Sequence, residues 1–370
     1  MPVLLLILLG AVAVLAALSI PVYFAARQPR RGTTEWMHCI EMPHFRPLQA
    51  ARLCAADCGW LPLAVVLAAG GRLLAELSFA SIRGAGALAL SYLPQYARSV
   101  LPLCALLAAG TYLLVRELSG SALAAVCTAI VLTLLQADGL GRAAVTVWAL
   151  LFLWQWVCTG SERYFLPALW LTLSLVCFSA GLFGCARLLW LAPLWIAAWI
   201  YVQLRRRSLG RAAGSLLLTA LLCALLTVGL CGLRLLRERY AGQGLSPIAT
   251  AEFWRAVPPL LVQKLRQLGT LPAFAPAYST DGLLALAGGA ALLCALHGAI
   301  RRRESVCLAL LVLLPFFAAV WLLGGRYLLN VPLALALGWL WGLWARREQT
   351  IFVILSVLLL LVTDCIILLL

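Results

Sequence analysis

The chain has 370 residues, of which 64% are hydrophobic and 11% are charged, and its mean hydropathy is +1.02. No soluble core could bury this much apolar surface, whereas a helical bundle in a bilayer could, so the composition predicts an all-α polytopic membrane protein. The formal net charge of +15 would indicate a nucleic-acid partner in a soluble protein. Here most of the positive charge is arginine beside apolar stretches, so no nucleic-acid partner is expected.

Apolar stretches of roughly 20 residues, the length that crosses a bilayer core, occur about eleven times along the chain. Their predicted limits are 3–26, 99–117, 120–136, 142–158, 165–181, 187–204, 212–233, 282–300, 305–323, 328–345 and 350–370. The first stretch is long enough to span and lacks the charged n-region and small-residue cleavage site of a signal peptide, so we interpret it as a retained helix. With no internal repeat and no separate soluble segment, residues 1–370 are predicted to form a single membrane domain.

Arginines at alternate breaks between the apolar stretches predict the orientation of the chain. If the N-terminus is cytoplasmic, the short inner turns hold Arg116, Arg163, Arg205, Arg206, Arg207, Arg211, Arg301, Arg302, Arg303, Arg346 and Arg347. The short outer turns then hold only Arg142, Arg187 and Arg326. This asymmetry places the N-terminus inside and the C-terminus outside a plasma membrane. Arg27, Arg30 and Arg31 oppose it, but they begin a long loop, where the rule is weak.

Two segments are too long to be simple connections, and both fall on the predicted outer face: residues 27–98 and residues 234–281. Each contains an amphipathic stretch, 61–77 in the first and 254–268 in the second, that is expected to lie flat in the membrane interface. We therefore expect these two outer loops to act as lids and to carry functional residues.

Several short motifs, taken in chain order, are similar to those of one family. They are Trp60-Leu-Pro62-Leu63, Tyr96-Ala-Arg98-Ser99, Tyr112-Leu-Leu-Val-Arg116-Glu-Leu-Ser-Gly120, Asp138-Gly-Leu-Gly-Arg142 and Arg326-Tyr327-Leu-Leu-Asn-Val-Pro332. In order and spacing they resemble the GT-C glycosyltransferases, specifically the dolichyl-phosphate-mannose mannosyltransferase and aminoarabinose transferase branch. The resemblance covers most of the chain. It implies a GT-C-like bundle with a cytoplasmic N-terminus and the same two outer loops.

The resemblance further implies that a sugar is transferred, with inversion, from a polyisoprenyl-phosphate donor to a glycan, lipid or protein acceptor on the outer face. In this family the catalytic acid lies in the first outer loop, where this chain has Thr33-Thr34-Glu35-Trp36. Glu35 would activate the acceptor, although Thr34 stands where the family has Asp. Asp138 would be a second acid in the site. Glu41 and Asp57, in the same loop as Glu35, are the alternatives, and each of these acids could instead be a solvated loop residue.

A donor phosphate at the membrane surface needs cations on the outer face. The predicted phosphate ligands are Arg142, Arg326, Arg187 and Lys264, which is the only lysine in the chain. Asp138 and Arg142 are also spaced i, i+4, so a simple ion pair at the start of a helix is the alternative for these two. The predicted contacts of the acceptor or the lid are Trp36, Trp60 and Trp254.

The first outer loop contains His38 and His44 together with three cysteines, which are residue types that bind metals. Cys54 and Cys58 have CxxxC spacing rather than the CxxC of a zinc knuckle, so no metal site is assigned. The sequence therefore predicts no particular cofactor, with a divalent metal ion as the alternative. Two other functions stay open. One is a non-catalytic GT-C-like protein that binds a lipid carrier or partner. The other is a small-molecule or lipid transporter, which the scarcity of ionisable residues in the spans disfavours.

Overall fold

The computed structural model describes residues 59–82, 84, 86–136, 139–159, 165–184, 188, 191–206, 259, 280–302, 304–322, 326–347 and 349–369, together with residues 11, 12, 14, 17 and 20. Within these residues all regular structure is helical, and no strand occurs. The predicted all-α class is therefore confirmed for the part of the chain that the structure describes.

The helices are α1 (Trp60–Ile82), α2 (Gly86–Ser99), α3 (Leu101–Ser119), α4 (Ala122–Leu135), α5 (Leu140–Thr159), α6 (Phe165–Gly184), α7 (Ala192–Arg206), α8 (Thr280–Arg302), α9 (Ser305–Leu322), α10 (Asn330–Ala345) and α11 (Thr350–Leu369). A 3-10 turn, Arg326–Leu329, precedes α10. Helices α3 to α11 coincide with nine of the predicted apolar spans. The predicted spans 3–26 and 212–233 lie largely or wholly outside the described residues, as does the predicted interfacial stretch 254–268 apart from residue 259.

Four segments of the described helices are long and apolar enough to cross a membrane: Trp60–Ser78, Leu101–Ser119, Leu140–Cys158 and Leu284–Arg301. The shorter apolar helices have 10–17 residues, fewer than the roughly 20 residues of an ordinary span. The protein is thus membrane-embedded. The count of eleven spans stays a prediction.

Helix α1 contains the whole of the predicted amphipathic stretch 61–77. The stretch is helical, as expected, but the helix runs for 23 residues and contains one of the four segments that can cross a membrane. Large apolar side chains of α1 are also exposed, with Val66 66% and Leu74 65% exposed. Its composition therefore suits a position within the bilayer as well as the predicted interfacial one.

The first of two compact units consists of residues 1–135, 277–308 and 333–370. In it α1 packs against α3 and α4, and α11 packs against α4 and α8. The side of α1 that faces its neighbours carries small residues, since Ala64 and Ala68 are fully buried. Small residues at contacts allow helix backbones to approach closely, which favours helix association in lipid.

Close approach also explains the glycines of α10 in this unit. A Cβ added at Gly338 would clash with Thr128 of α4 and Val115 of α3, and one added at Gly342 would clash with Ser119. These glycines allow α10 to lie against the α3–α4 pair.

The second compact unit consists of residues 136–276 and 309–332. Helix α5 packs along α6 and contacts α7. The buried Ser174 of α6 joins the three helices, because its hydroxyl donates to the Ala149 carbonyl at 2.7 Å and accepts from the Trp195 indole at 3.0 Å. Polar groups in an apolar bundle are satisfied internally in this way.

Candidate functional site

Most of the side chains that the sequence predicted for the site lie outside the described residues. These are Glu35, Glu41, Asp57, Asp138, Arg187, Lys264, Trp36, Trp254, His38 and His44. Their predicted roles are therefore neither confirmed nor contradicted. Trp60 is described as the first residue of α1 and is 41% exposed.

Arg142 lies in the first turn of α5 and is exposed. The turn before this helix depends on Gly139, whose φ of 71° is in the left-handed region that favours glycine. The Gly139 carbonyl then accepts from the Ala143 amide at 2.9 Å, which opens the helix. The N-terminus of a helix carries partial positive charge. An anion at this position would therefore be attracted both by the helix N-terminus and by the Arg142 guanidinium.

The 3-10 turn that begins at Arg326 packs against α5 in the second unit. Leu328 within this turn and Asn330 directly after it are buried. The Arg326 side chain lies outside the described part. The structure therefore brings two of the arginine-bearing motifs, one on α5 and one in the turn, onto contacting elements.

The structure also reveals a charged cluster in the first unit, centred on Arg72 of α1. The Arg72 side chain is only 13% exposed and donates to the Glu76 carboxylate at 2.7 Å. It also donates to the main-chain carbonyl of Leu134 at 2.9 Å. Leu134 is in the last turn of α4, whose carbonyls have no partner within their own helix. The guanidinium thus caps the negative end of α4 and joins it to α1.

Asp364 and Tyr96 complete this cluster. Asp364, near the end of α11, is 5% exposed, and its Oδ1 atom has no hydrogen-bond partner among the described residues. Arg72 is the charged group that acts on it electrostatically. The Tyr96 hydroxyl of α2 is buried beside Arg72. Burial raises the pKa of Tyr96 more than Arg72 lowers it, so Tyr96 keeps its hydroxyl proton at neutral pH.

The Arg72 cluster, defined as Arg72, Glu76, Tyr96 and Asp364, lies at one end of the first unit. Its contact on α4 is the next-to-last residue of that helix. At the other end of α4, a Cβ added at Gly120 would lie 3.7 Å from the Arg346 guanidinium carbon. Because α4 has 14 residues, these ends are separated by about 20 Å. The cluster is therefore at the opposite end from Arg346, one of the arginines that indicate the cytoplasmic side.

The cluster was not predicted from the sequence, although the sequence contains one signal for it. Arg72 and Glu76 are spaced i, i+4 in an otherwise apolar stretch, the spacing of an ion pair on one helix face. The sequence predicts an interfacial helix for this stretch. The hydrogen bond to the Leu134 carbonyl and the electrostatic effect on Asp364 join residues far apart in sequence, so no local pattern indicates them.

In chemical terms the Arg72 cluster offers hydrogen-bond donors and acceptors rather than a metal site. The described residues contain no group of three or more His, Cys, Asp or Glu side chains that could hold a metal ion. A guanidinium, two carboxylates and a hydroxyl can instead bind a polar ligand by hydrogen bonds.

No protein-family model, curated protein or solved structure matches this chain.

Proposed function

We propose that the protein is an integral-membrane glycosyltransferase that moves a sugar from a polyisoprenyl-phosphate donor to a glycan, lipid or protein acceptor. The reaction takes place at the outer face of the plasma membrane and inverts the anomeric centre. The observation that carries the proposal is the contact between α5, which begins with the Arg142 motif, and the turn that begins the Arg326 motif. In the motif order that resembles the GT-C family, these are two outer-face arginines.

The donor phosphate in this proposal is bound by Arg142 and Arg326, with Arg187 and Lys264 as further cations. The exposed position of Arg142 at the N-terminus of α5 supports this role, because the guanidinium and the helix dipole both favour a phosphate there. The isoprenoid chain stays in the bilayer beside the apolar helices. No nucleotide-sugar site is needed.

The acceptor hydroxyl in this proposal is activated by Glu35, with Asp138 as the second acid. A carboxylate that accepts the hydroxyl proton lets the oxygen attack the anomeric carbon while the polyisoprenyl phosphate leaves with the bonding electron pair. In this proposal the N-terminus is cytoplasmic and the C-terminus lies outside. Trp36, Trp60 and Trp254 cover the acceptor.

The proposal is tested by turnover in proteoliposomes with a polyprenyl-phosphate sugar labelled in the sugar and with a membrane extract as acceptor. We expect the wild type to transfer label, and Glu35→Gln and Asp138→Asn to lose at least 100-fold of this activity, the usual contribution of a general base. Glu304→Gln, at the start of α9 in a predicted inner turn, is the matched control and should keep full activity. Glu41→Gln and Asp57→Asn test the alternative acids.

Absence of transfer by the wild type with every donor, in protein that still binds polyprenyl phosphate, would overturn the enzyme proposal. It would favour a non-catalytic relative that binds a lipid carrier, in agreement with Thr34 at the place of the family's Asp.

A transporter is the second candidate, and the Arg72 cluster favours it. Ionisable residues within apolar helices often mark the path of a substrate or ion. Few such residues are predicted within the spans, but Arg72 and Glu76 both fall within a segment that can cross a membrane. A transporter would move the intact lipid-linked sugar or another solute across the vesicle membrane, and it would break no glycosidic bond.

A further inference from the structure

We propose that one side of the α5–α6 pair holds the isoprenoid chain of the lipid-linked donor. This side is called the ring face and is defined by Trp148 and Phe152 of α5 and Trp170 of α6, which are all partly exposed. The identity of the lipid rests on the proposed function, and the ring face adds the path of its chain along the protein. The three rings and Arg142 all belong to the second unit.

The three rings form one continuous aromatic surface on two helices. The ring centroids of Trp148 and Phe152 are 5.5 Å apart. Those of Phe152 and Trp170 are 5.7 Å apart, and their planes are inclined by 17°. Flat rings present many carbon atoms to a neighbouring chain, and each atomic contact adds a small dispersion attraction. Because the rings are partly exposed, a chain in the surrounding lipid can reach this surface.

The helices that carry the rings are fixed to each other by polar and close contacts. Ser174 of α6 donates to the Ala149 carbonyl of α5 at 2.7 Å. Further along the pair, a Cβ added at Gly181 of α6 would lie 3.5 Å from the Val145 side chain of α5. The ring face is therefore organised before a ligand arrives, which lowers the entropic cost of binding.

Arg142 lies at the head of the same side of α5. Five partly exposed residues recur there at the three- and four-residue spacing of one helix side, namely 141, 145, 148, 152 and 155. Arg142 is exposed at the edge of this side, one turn before Val145. At a rise of 1.5 Å per residue, Trp148 lies about 9 Å and Phe152 about 15 Å further along the helix axis than Arg142.

This arrangement suits a lipid whose phosphate lies at the membrane surface and whose chain enters the bilayer. The phosphate would be attracted by Arg142 and by the N-terminus of α5. The rings follow within Leu140–Cys158, a segment that can cross a membrane. With Arg142 at the outer surface of a hydrocarbon core about 30 Å thick, the rings lie in its outer half. The flat double bonds and methyl branches of an isoprenoid chain offer the rings closer contacts than a straight acyl chain does.

Photo-crosslinking of the full-length protein in nanodiscs tests the ring face. The probe is a polyprenyl phosphate with a diazirine in its isoprenoid chain. We expect it to label residues 145–152 of α5 and the part of α6 around Trp170, and we expect unlabelled polyprenyl phosphate to compete. Geranylgeranyl phosphate should compete about tenfold better than hexadecyl phosphate, whose straight chain has the same length, and better than a saturated phosphatidic acid.

Variants then assign this preference to the rings. Phe152→Leu should weaken competition by geranylgeranyl phosphate about 3- to 10-fold, because it removes the ring between the two tryptophans. Competition by hexadecyl phosphate should not change. Trp170→Phe keeps a ring and should lose less. The matched control is Phe352→Leu, which replaces a 37% exposed phenylalanine of α11 in the first unit and should leave every affinity unchanged.

Three results would overturn the ring face while the proposed donor class stands. The first is competition-sensitive labelling confined to other helices, which needs no variant. The second is equal competition by the saturated phosphatidic acid, since the ring face would then be a general contact for membrane lipid. The third is an unchanged preference for geranylgeranyl phosphate in folded Phe152→Leu. Failure of every polyprenyl phosphate to compete, together with absence of sugar transfer by the wild type, would overturn the proposed function as well.

Discussion

The Arg72 side chain shows how this protein accommodates charge among apolar helices. An isolated guanidinium in hydrocarbon is strongly unfavourable, and Arg72 avoids isolation through an intrahelical carboxylate and the last turn of another helix. Only the first of these partners could be predicted from sequence, because i, i+4 spacing is local information. The Leu134 carbonyl is brought to Arg72 by tertiary packing, which no local pattern encodes.

Replacement of Arg72 should therefore be far more damaging than replacement of its exposed partner. Arg72→Leu removes the guanidinium that donates to the Leu134 carbonyl and to Glu76 and that acts electrostatically on Asp364. It should destabilise the protein by up to about 3–5 kcal/mol, as when one partner of a buried ion pair is removed. Glu76→Gln, at a 45% exposed side chain, should cost no more than about 1 kcal/mol. Equilibrium unfolding in mixed micelles measures both. Equal losses for the two variants would mean that Arg72 is stabilised mainly by its salt bridge.

At the scale of elements, the sequence predicted helix positions well and helix environments less well. Nine apolar stretches became α3 to α11 because length and hydropathy are local properties. Helix α1 was expected in the interface, whereas its apolar surface and length also suit the bilayer. The contact of the Arg326 turn with α5 was not predicted from the sequence. Packing between helices depends on small residues whose partners are distant in sequence.

Two adjacent glycines of α8 offer a direct test of this packing. A Cβ at Gly288 would lie 2.8 Å from the Cβ and 2.9 Å from the carbonyl oxygen of Leu333, whereas one at Gly289 would meet nothing within 4 Å. Gly288→Ala should destabilise the protein by about 1–3 kcal/mol through overpacking against α10. Gly289→Ala should be neutral or stabilise by up to about 1 kcal/mol, since alanine favours the helix.

The same micelle unfolding assay compares the two variants. A loss at Gly289→Ala as large as that at Gly288→Ala would show that α8 does not contact α10 through Gly288.

The arginines of the second unit provide a further prediction at this scale. Arg142→Ala and Arg326→Ala should each weaken binding of bare polyprenyl phosphate about tenfold or more, because each removes a proposed charge-assisted contact to the phosphate. Arg301→Ala, exposed in the last turn of α8 on the predicted inner side, is the control and should bind as the wild type does. Lipid binding to protein in nanodiscs measures all three. Uniform losses across the three variants would indicate only general attraction of an anionic lipid.

For the whole molecule, orientation decides which residues can share a site. The arginine-rich turns predict that residues 346–347 are cytoplasmic and that the C-terminus is outside. Alkaline phosphatase folds and acts only outside the cytoplasm, whereas a green fluorescent protein exported in the unfolded state stays dark. We therefore expect an active phosphatase fused after Leu370 and a fluorescent protein fused after Arg347. The reverse pattern would place the Arg72 cluster and Arg142 on the cytoplasmic side.

We propose that this protein breaks the bond between a sugar and a polyisoprenyl phosphate. The most direct measurement is mass spectrometry of the donor lipid after incubation with reconstituted protein and acceptor membranes. We expect free polyisoprenyl phosphate in a 1:1 ratio to newly glycosylated acceptor, because sugar transfer releases one lipid phosphate per glycosidic bond formed. Donor lipid that remains fully glycosylated, whether bound to the protein or moved to the opposite leaflet, would contradict the account.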